Sequence, residues 1–212
     1  MRNIAKGAEP FSLTEHRTQK SADYDNYPGK GDLRESLARE QRGICCYCMG
    51  RIRPDEGSMK IEHWRSQSRF PDHQLTYQNL LGACNGGEGS PNKVQHCDTY
   101  KGNSDLSRNP ADALHNVEVH IHYDPDGTIR STDPIFDEEL NHVLNLNNAR
   151  WLKNHRKAAL DGFLDAIKRQ GSWSREILEK WLFEWTGQAD DKDLKPYCQV
   201  VVYWLRRRLK RA

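Results

Sequence analysis

Cys45-Cys46-Tyr47-Cys48 sets two thiols in a C-x-x-C between Ile44 and Gly50. A turn of that length lets two thiolates reach one ion, because tetrahedral zinc takes S–Zn bonds of about 2.3 Å from four directions. The second pair must come from elsewhere in the chain, and Cys84 and Cys97 are the candidates. The stretch between them, Asn85 to His96, is longer than the two residues of a second C-x-x-C, but Gly86, Gly87 and Gly89 make looping out easy. The expected structural zinc site is therefore Cys45, Cys48, Cys84 and Cys97, with His96 as a competing fourth ligand and Cys46 as a packed bystander. The bland alternative is a set of buried thiols, since free cysteine is among the most buried residue types. Gly86 to Lys93 is not a phosphate loop, because no Gly-Lys-Ser/Thr follows and no strand-to-helix context frames it.

Between the cysteine pairs lies Met59-Lys60-Ile61-Glu62-His63-Trp64, whose alternation predicts a strand ending on an acid–histidine pair. Asn79-Leu80-Leu81 runs up to Cys84, and Asp98-Thr99-Tyr100-Lys101-Gly102-Asn103 follows Cys97. Phosphodiester hydrolysis needs an activated water, neutralisation of developing charge and a stabilised leaving oxygen. A histidine of ordinary pKa, about 6.5, can take the proton of water at pH 7. Glu62 and Asp98 supply the hard oxygens that suit a largely hydrated Mg²⁺. Lys60, Arg65 and Arg69 are candidate contacts to backbone phosphates. Lys101 reads equally as a solvated helix charge or as a phosphate contact, and Trp64 reads as core.

The order C-x-x-C, Glu-His, Asn-Leu-Leu and two further cysteines resembles the HNH endonucleases over residues 45–103. The longer chain is similar to a narrower group, the HNH subunits of Septu-type anti-phage defence systems (PtuB-like), also found beside retrons. That likeness rests on His96-Cys97-Asp98-x-x-Lys101-Gly102-Asn103, on Leu144-Asn145-Leu146-Asn147 and on the ending from Tyr197-Cys198 to Leu209. The resemblance implies that His63 is the general base and that Asn79 pins the loop behind it. It puts Glu62 where an acidic metal ligand stands and Asp98 where the final His or Asn would be. That last position is a departure, and it leaves Asn103 as the alternative.

The resemblance further implies an endonuclease acting on nucleic acid, with DNA expected and RNA left open, yielding 5′-phosphate and 3′-hydroxyl ends. Its cofactors would be a structural Zn²⁺ and a catalytic Mg²⁺ or Mn²⁺. Its partners would be a PtuA-like ATPase subunit and, where a retron is present, the reverse transcriptase and its DNA. A reading of another class is a non-catalytic zinc-binding module that holds nucleic acid or protein. Thiol redox through Cys45 and Cys48 is disfavoured, because this C-x-x-C does not open a helix in a βαβ context.

The elements that must position these residues are coarser to read. Residues 1–31 are polar and punctuated by Pro10, Pro28, Gly29 and Gly31, an irregular arm over the core. Asp32 as N-cap, with Leu33 and Leu37, predicts a short helix to about Gln41. Val117, Val119 and Ile121 alternate with polar residues as a strand would. Asp124-Pro125-Asp126-Gly127 is a turn, and Thr128 to Arg130 returns as a hairpin. Leu160, Phe163, Leu164 and Ile167 repeat at helical spacing, as do Ile177, Leu178, Trp181, Leu182 and Trp185. A last helical segment runs from Tyr197 to Lys210 and ends in a basic run.

The fold class expected is α+β, in three parts. These are an arm and helix at 1–43, a zinc-stapled ββα-metal core at 44–108, and a hairpin plus mainly helical partner-docking region at 109–212. Composition sets the bounds: 212 residues suggest one domain or one and a half. A mean hydropathy of -0.93 implies a thin core that a metal or partner would help. A net charge of +2 excludes a histone-like polycation. No apolar run approaches the ~18 residues of a membrane span, and Met1 to Pro10 lacks a signal-peptide core. The expectation is a soluble, cytoplasmic protein that makes no membrane contact and keeps its thiols reduced.

Overall fold

The computed structural model describes residues 1–169, 171, 173–190 and 192–211, with backbone alone at 149 and 150. The chain is a mixed α+β protein with two small antiparallel sheets. The arm at 1–31 is more ordered than its composition suggests. It forms α1 (Phe11–Arg17), which buries Leu13 and His16. Met1, Ile4 and Tyr27 sink into the same core. Its path ties distant parts together, since the Ile4 N–H donates to the Pro110 carbonyl at 2.8 Å.

Helix α2 (Lys30–Glu40) buries Leu33 and Leu37, as their spacing predicts. It begins before Asp32, however, so Asp32 sits in the first turn and not at the cap. There a carboxylate still complements the positive end of the helix dipole. Gly43, at φ +71°, turns the chain out of the helix and into the cysteine knuckle. An Ile44–Arg51 bridge closes that knuckle.

Strand β1 (Met59–His63) pairs antiparallel with β2 (Leu80–Cys84), with Met59 opposite Cys84 and His63 opposite Leu80. The free edge of β2 does not face water. The Gln41 side chain donates to the Gly82 carbonyl at 2.7 Å and accepts from its N–H at 2.6 Å. Both backbone groups of Gly82 on that buried edge are thereby paired. After β2 the chain makes a loop from Asn85 to His96, its neck closed by the His96 N–H donating to the Gly86 carbonyl at 2.8 Å. Gly86 sits at φ +55°, and a Cβ there would lie 2.1 Å from the His96 carbonyl oxygen, so no other residue fits. At the tip, Gly89 faces open solvent. Helix α3 (Cys97–Lys101) follows and packs on β2.

Residues 117–120 depart from the strand reading. Asn116, at φ +34°, reverses the chain, and α4 (Val117–His120) is a single helical turn. Val117 is fully buried while Val119 is 65 % exposed, so their period-two spacing does not mark one face of a strand. The hairpin itself is shorter, β3 (Ile121–Tyr123) against β4 (Ile129–Ser131), around the expected Asp124–Gly127 turn. Helix α5 (Pro134–Glu138) is capped by Asp133, whose carboxylate accepts from the Ile135 N–H at 3.0 Å.

The helices read from 3.6-residue spacing are present as α6 (Asn154–Arg169), α7 (Arg175–Trp185) and α8 (Cys198–Leu209). Phe163 anchors their packing, with ring centroids 5.7 Å from Trp181, 5.6 Å from Trp185 and 5.7 Å from Trp204. Leu144 to Asn147 joins this region to the cysteine region. The Cys97 N–H donates to the Leu144 carbonyl at 3.0 Å, and Asn145 donates to the Gln95 carbonyl at 2.7 Å. Buried Arg156 donates to the carbonyls of Leu146 and Gly127, both at 2.6 Å. Among the described residues no helix is long and apolar enough to cross a membrane.

Candidate active site and metal centre

The four cysteines singled out by spacing converge. The sulfurs of Cys45, Cys48, Cys84 and Cys97 all lie within 4.8 Å of one another. Cys45 and Cys97 are 3.8 Å apart, and Cys48 and Cys84 3.7 Å. A disulfide would need about 2.05 Å. A tetrahedron with S–Zn bonds of about 2.3 Å has edges of about 3.8 Å, so the donor set fits a zinc ion. Burial raises the Cys45 thiol, but the thiols of Cys46, Cys48, Cys84 and Cys97 outweigh it and hold Cys45 well below the ordinary range. The Cys84 thiol is pushed up, chiefly by Cys45 and Cys48, and that of Cys97 chiefly by burial.

His96 is not in the cluster. Its Nδ1 lies 3.2 Å from the Cys97 sulfur and so supports a ligand without being one. Cys97 reaches the cluster because its backbone adopts φ +55°, held by the Leu144 carbonyl. Cys46 is buried beside it, as a bystander would be.

The second cluster forms at the end of β1. His63 is buried and lines a groove of about 380 Å³ with Glu62, Ser66, Gln67, Asp98 and Asn103. The His63 Nε2–H donates to the Gln74 carbonyl at 3.0 Å, a partner that can only accept. Its Nδ1 therefore carries the lone pair, to which the Gln67 amide donates at 3.2 Å. Burial lowers the His63 pKa to about 4, against the opposing pull of the Gln74 carbonyl and the Asp98 charge. The imidazole is neutral at pH 7 and in one tautomer. The edge of Tyr24 meets the ring at 4.5 Å and fixes its plane.

Asn79 ties down the backbone of the segment that precedes it. Its Oδ1 accepts from the Arg65 N–H at 2.8 Å, and its Nδ2 donates to the carbonyls of Arg65 at 3.0 Å and His73 at 3.1 Å. The loop after His63 is thus tied to the start of β2. Asp98 stands on the first turn of α3, with its carboxyl in hydrogen-bonding reach of Glu62. Asn103 is on the groove wall but exposed.

Glu62 is more constrained than a free ligand. It is 2 % exposed, and its Oε1 accepts from the Tyr47 hydroxyl at 2.7 Å and from Lys101 Nζ at 2.9 Å. Burial and the neighbouring Asp98 push its pKa well up, while Lys101 pulls it down. Lys101 is neither solvated nor free for phosphate, for its side chain is 1 % exposed and also donates to the His63 carbonyl at 3.1 Å. Two carboxyl groups forced together in a buried place repel unless a proton or a cation lies between them. Oxygen-only donors of this kind suit a hard divalent ion such as Mg²⁺ or Mn²⁺.

Of the three candidate phosphate contacts, Lys60 pairs with Glu88 at 2.8 Å and Arg69 with Asp105 at 2.6 Å. Arg65 is different. Its guanidinium lies 5.0 Å from the Trp64 ring centre and 4.9 Å from that of Phe70. It is exposed, and among the described residues no carboxylate pairs with it. Trp64 itself is half-buried against the core, not a free stacking platform.

Gln67, Gln74 and Tyr47 complete the site and were not read from sequence as parts of it, and Lys101, read as a solvated charge or a phosphate contact, is instead a buried partner of Glu62. Tyr47 offered a signal, since it sits inside the C-x-x-C. The chain matches no family model and no curated protein. The functional reading therefore rests on the residues and their geometry.

Proposed function

We propose that this chain is a metal-dependent endonuclease of the HNH type, with β1, β2 and α3 as its ββα-metal core. The observation that carries the reading is His63. It is a neutral imidazole with one tautomer enforced by Gln74, next to the paired carboxyls of Glu62 and Asp98. Nδ1 is the atom to take a proton from water, once Gln67 yields its hydrogen bond. Glu62 Oε2 and Asp98 are the oxygens to hold Mg²⁺ or Mn²⁺. When bound, such an ion would neutralise phosphate charge and stabilise the leaving oxygen. A zinc ion held by the four thiolates would have no open position and would serve structure. Arg65, stacked and unpaired, is the cation best placed to anchor a phosphate of the substrate backbone.

The wider role we propose is that of a Septu-type anti-phage effector, working with a PtuA-like ATPase and, where present, a retron. DNA is the substrate favoured. Purified protein, alone and with the ATPase, is expected to nick plasmid DNA in Mg²⁺ or Mn²⁺, and His63→Ala is expected to abolish this. RNA assayed in parallel decides the substrate class. Cleavage unchanged in the variant would refute the catalytic assignment.

A non-catalytic zinc module is the second reading, favoured by the engagement of Glu62 Oε1 with Lys101 and Tyr47. The double variant Glu62→Ala/His63→Ala separates the two. Nucleic-acid binding kept with cutting lost supports the enzyme, whereas binding kept where wild type never cuts supports the module.

A further inference from the structure

Tyr47 belongs to the zinc knuckle by sequence and to the second cluster by contact. It lies between Cys46 and Cys48, is fully buried, and gives its hydroxyl hydrogen to Glu62 at 2.7 Å. Lys101, at the far end of α3, gives hydrogens to the same Glu62 oxygen and to the His63 carbonyl. Cys97, the last thiol of the cluster, opens that same helix. Both arms that hold Glu62 therefore start from segments that the thiolate site fixes. Oε1 already accepts from two donors, and Asp98 neighbours the same carboxyl group.

We propose that Tyr47 and Lys101 are positioning residues that clamp Glu62, so that the thiolate site sets the geometry of the divalent-ion site. This rests on the reading of Glu62 and Asp98 as ion ligands. Neither residue touches substrate. Tyr47 makes its orienting bond without adding charge. Lys101 supplies the counter-charge that lets a buried carboxylate remain in place.

For Lys101, positioning and simple electrostatics predict opposite outcomes. Removing a cation next to a cation site should by itself tighten ion binding. If Lys101 instead works by holding Glu62 in place, its loss should weaken binding.

The test uses the full, zinc-loaded chain and Mn²⁺ alone, with free Mn²⁺ read by its six-line electron paramagnetic resonance signal. Zinc per chain and melting temperature are measured on the same samples. Tyr47→Phe keeps the ring and removes only the hydroxyl. It is expected to retain one zinc per chain and a near-wild-type melting temperature, while Mn²⁺ affinity falls about tenfold. That loss of one orienting hydrogen bond corresponds to about 1.4 kcal/mol. Cleavage at saturating Mn²⁺ should recover most of its rate, giving a metal-affinity defect and not a rate defect. Lys101→Met is expected to weaken Mn²⁺ at least as much.

Mn²⁺ affinity unchanged in Tyr47→Phe, or tighter in Lys101→Met, would overturn the clamp while leaving the nuclease reading intact. Loss of zinc in Tyr47→Phe would also overturn it, since the hydroxyl would then serve the knuckle itself. Failure of the underlying reading looks different, because wild-type protein would then bind no Mn²⁺ at all.

Discussion

The cysteine region and the α6–α8 region are held together by different physics. Around Phe163 the stabilising term is apolar area, with three indole rings meeting one phenyl edge-on. Around β1 and β2 the buried set includes Gln41, Glu62, His63, Asn79 and Lys101, each needing a partner at a defined angle. Those polar groups are set into an apolar core, where Leu33, Leu37, Ile52, Met59, Leu80 and Leu81 are all buried, and beside them stand four clustered sulfurs that could hold a metal ion.

The largest test of this contrast is the metal. Stripping zinc with a chelator, or Cys48→Ser, removes an interaction that in small zinc modules is worth about 10–16 kcal/mol at pH 7. The melting transition is expected to collapse. Circular dichroism and melting temperature unchanged by the chelator would show that the sulfurs hold no ion. Next in size is the chemistry, where His63→Ala is expected to cost on the order of 10³-fold in cleavage, the usual scale for a general base. Its zinc content should stay whole.

Phe163→Ala is the mirror-image perturbation, expected to cost about 3–5 kcal/mol by denaturant unfolding with zinc still bound. Zinc lost in step with that cavity would merge the two regions into one cooperative unit. A smaller effect is pH-dependent. The folded pKa of His63, about 4, lies below the ordinary 6.5, so the unfolded chain takes the proton first as pH falls. Stability from this side chain is complete above about pH 6.5 and declines toward pH 4, by about 3 kcal/mol. The slope of stability against pH should flatten in His63→Gln. Smallest is Asn79→Ala, expected to cost about 2 kcal/mol for its lost bonds and to loosen the loop at Arg65.

What the sequence made legible was whatever is local or rare. Six cysteines in 212 residues are scarce enough for spacing to speak, and Glu62-His63 at a strand end is a contiguous signal. The helices α6, α7 and α8 declared themselves by period. Less legible were features decided by the fold as a whole. The choice of Cys97 over His96 hangs on a left-handed backbone held by a carbonyl 47 positions downstream, Leu144. Lys101 read as a solvated charge or a phosphate contact because lysine is usually exposed, and only its burial against Glu62 shows otherwise. Val117 and Val119 imitated a strand until Asn116 turned the chain. The partner-docking role given to residues 109–212 cannot be tested by simple truncation, since Leu144 and Asn145 brace Cys97 and Gln95.

One feature of the fold also offers a practical handle. The glycine loop is cinched at Gly86 and His96, yet Gly89 at its tip meets nothing. Next to that tip, Glu88 lines the groove and pairs with Lys60. A fluorophore carried on a cysteine introduced at Ser90 would ride on a loop closed at its neck by the Gly86–His96 hydrogen bond. Its emission would report arrival of a polyanion in the groove, giving a binding readout that requires no cleavage.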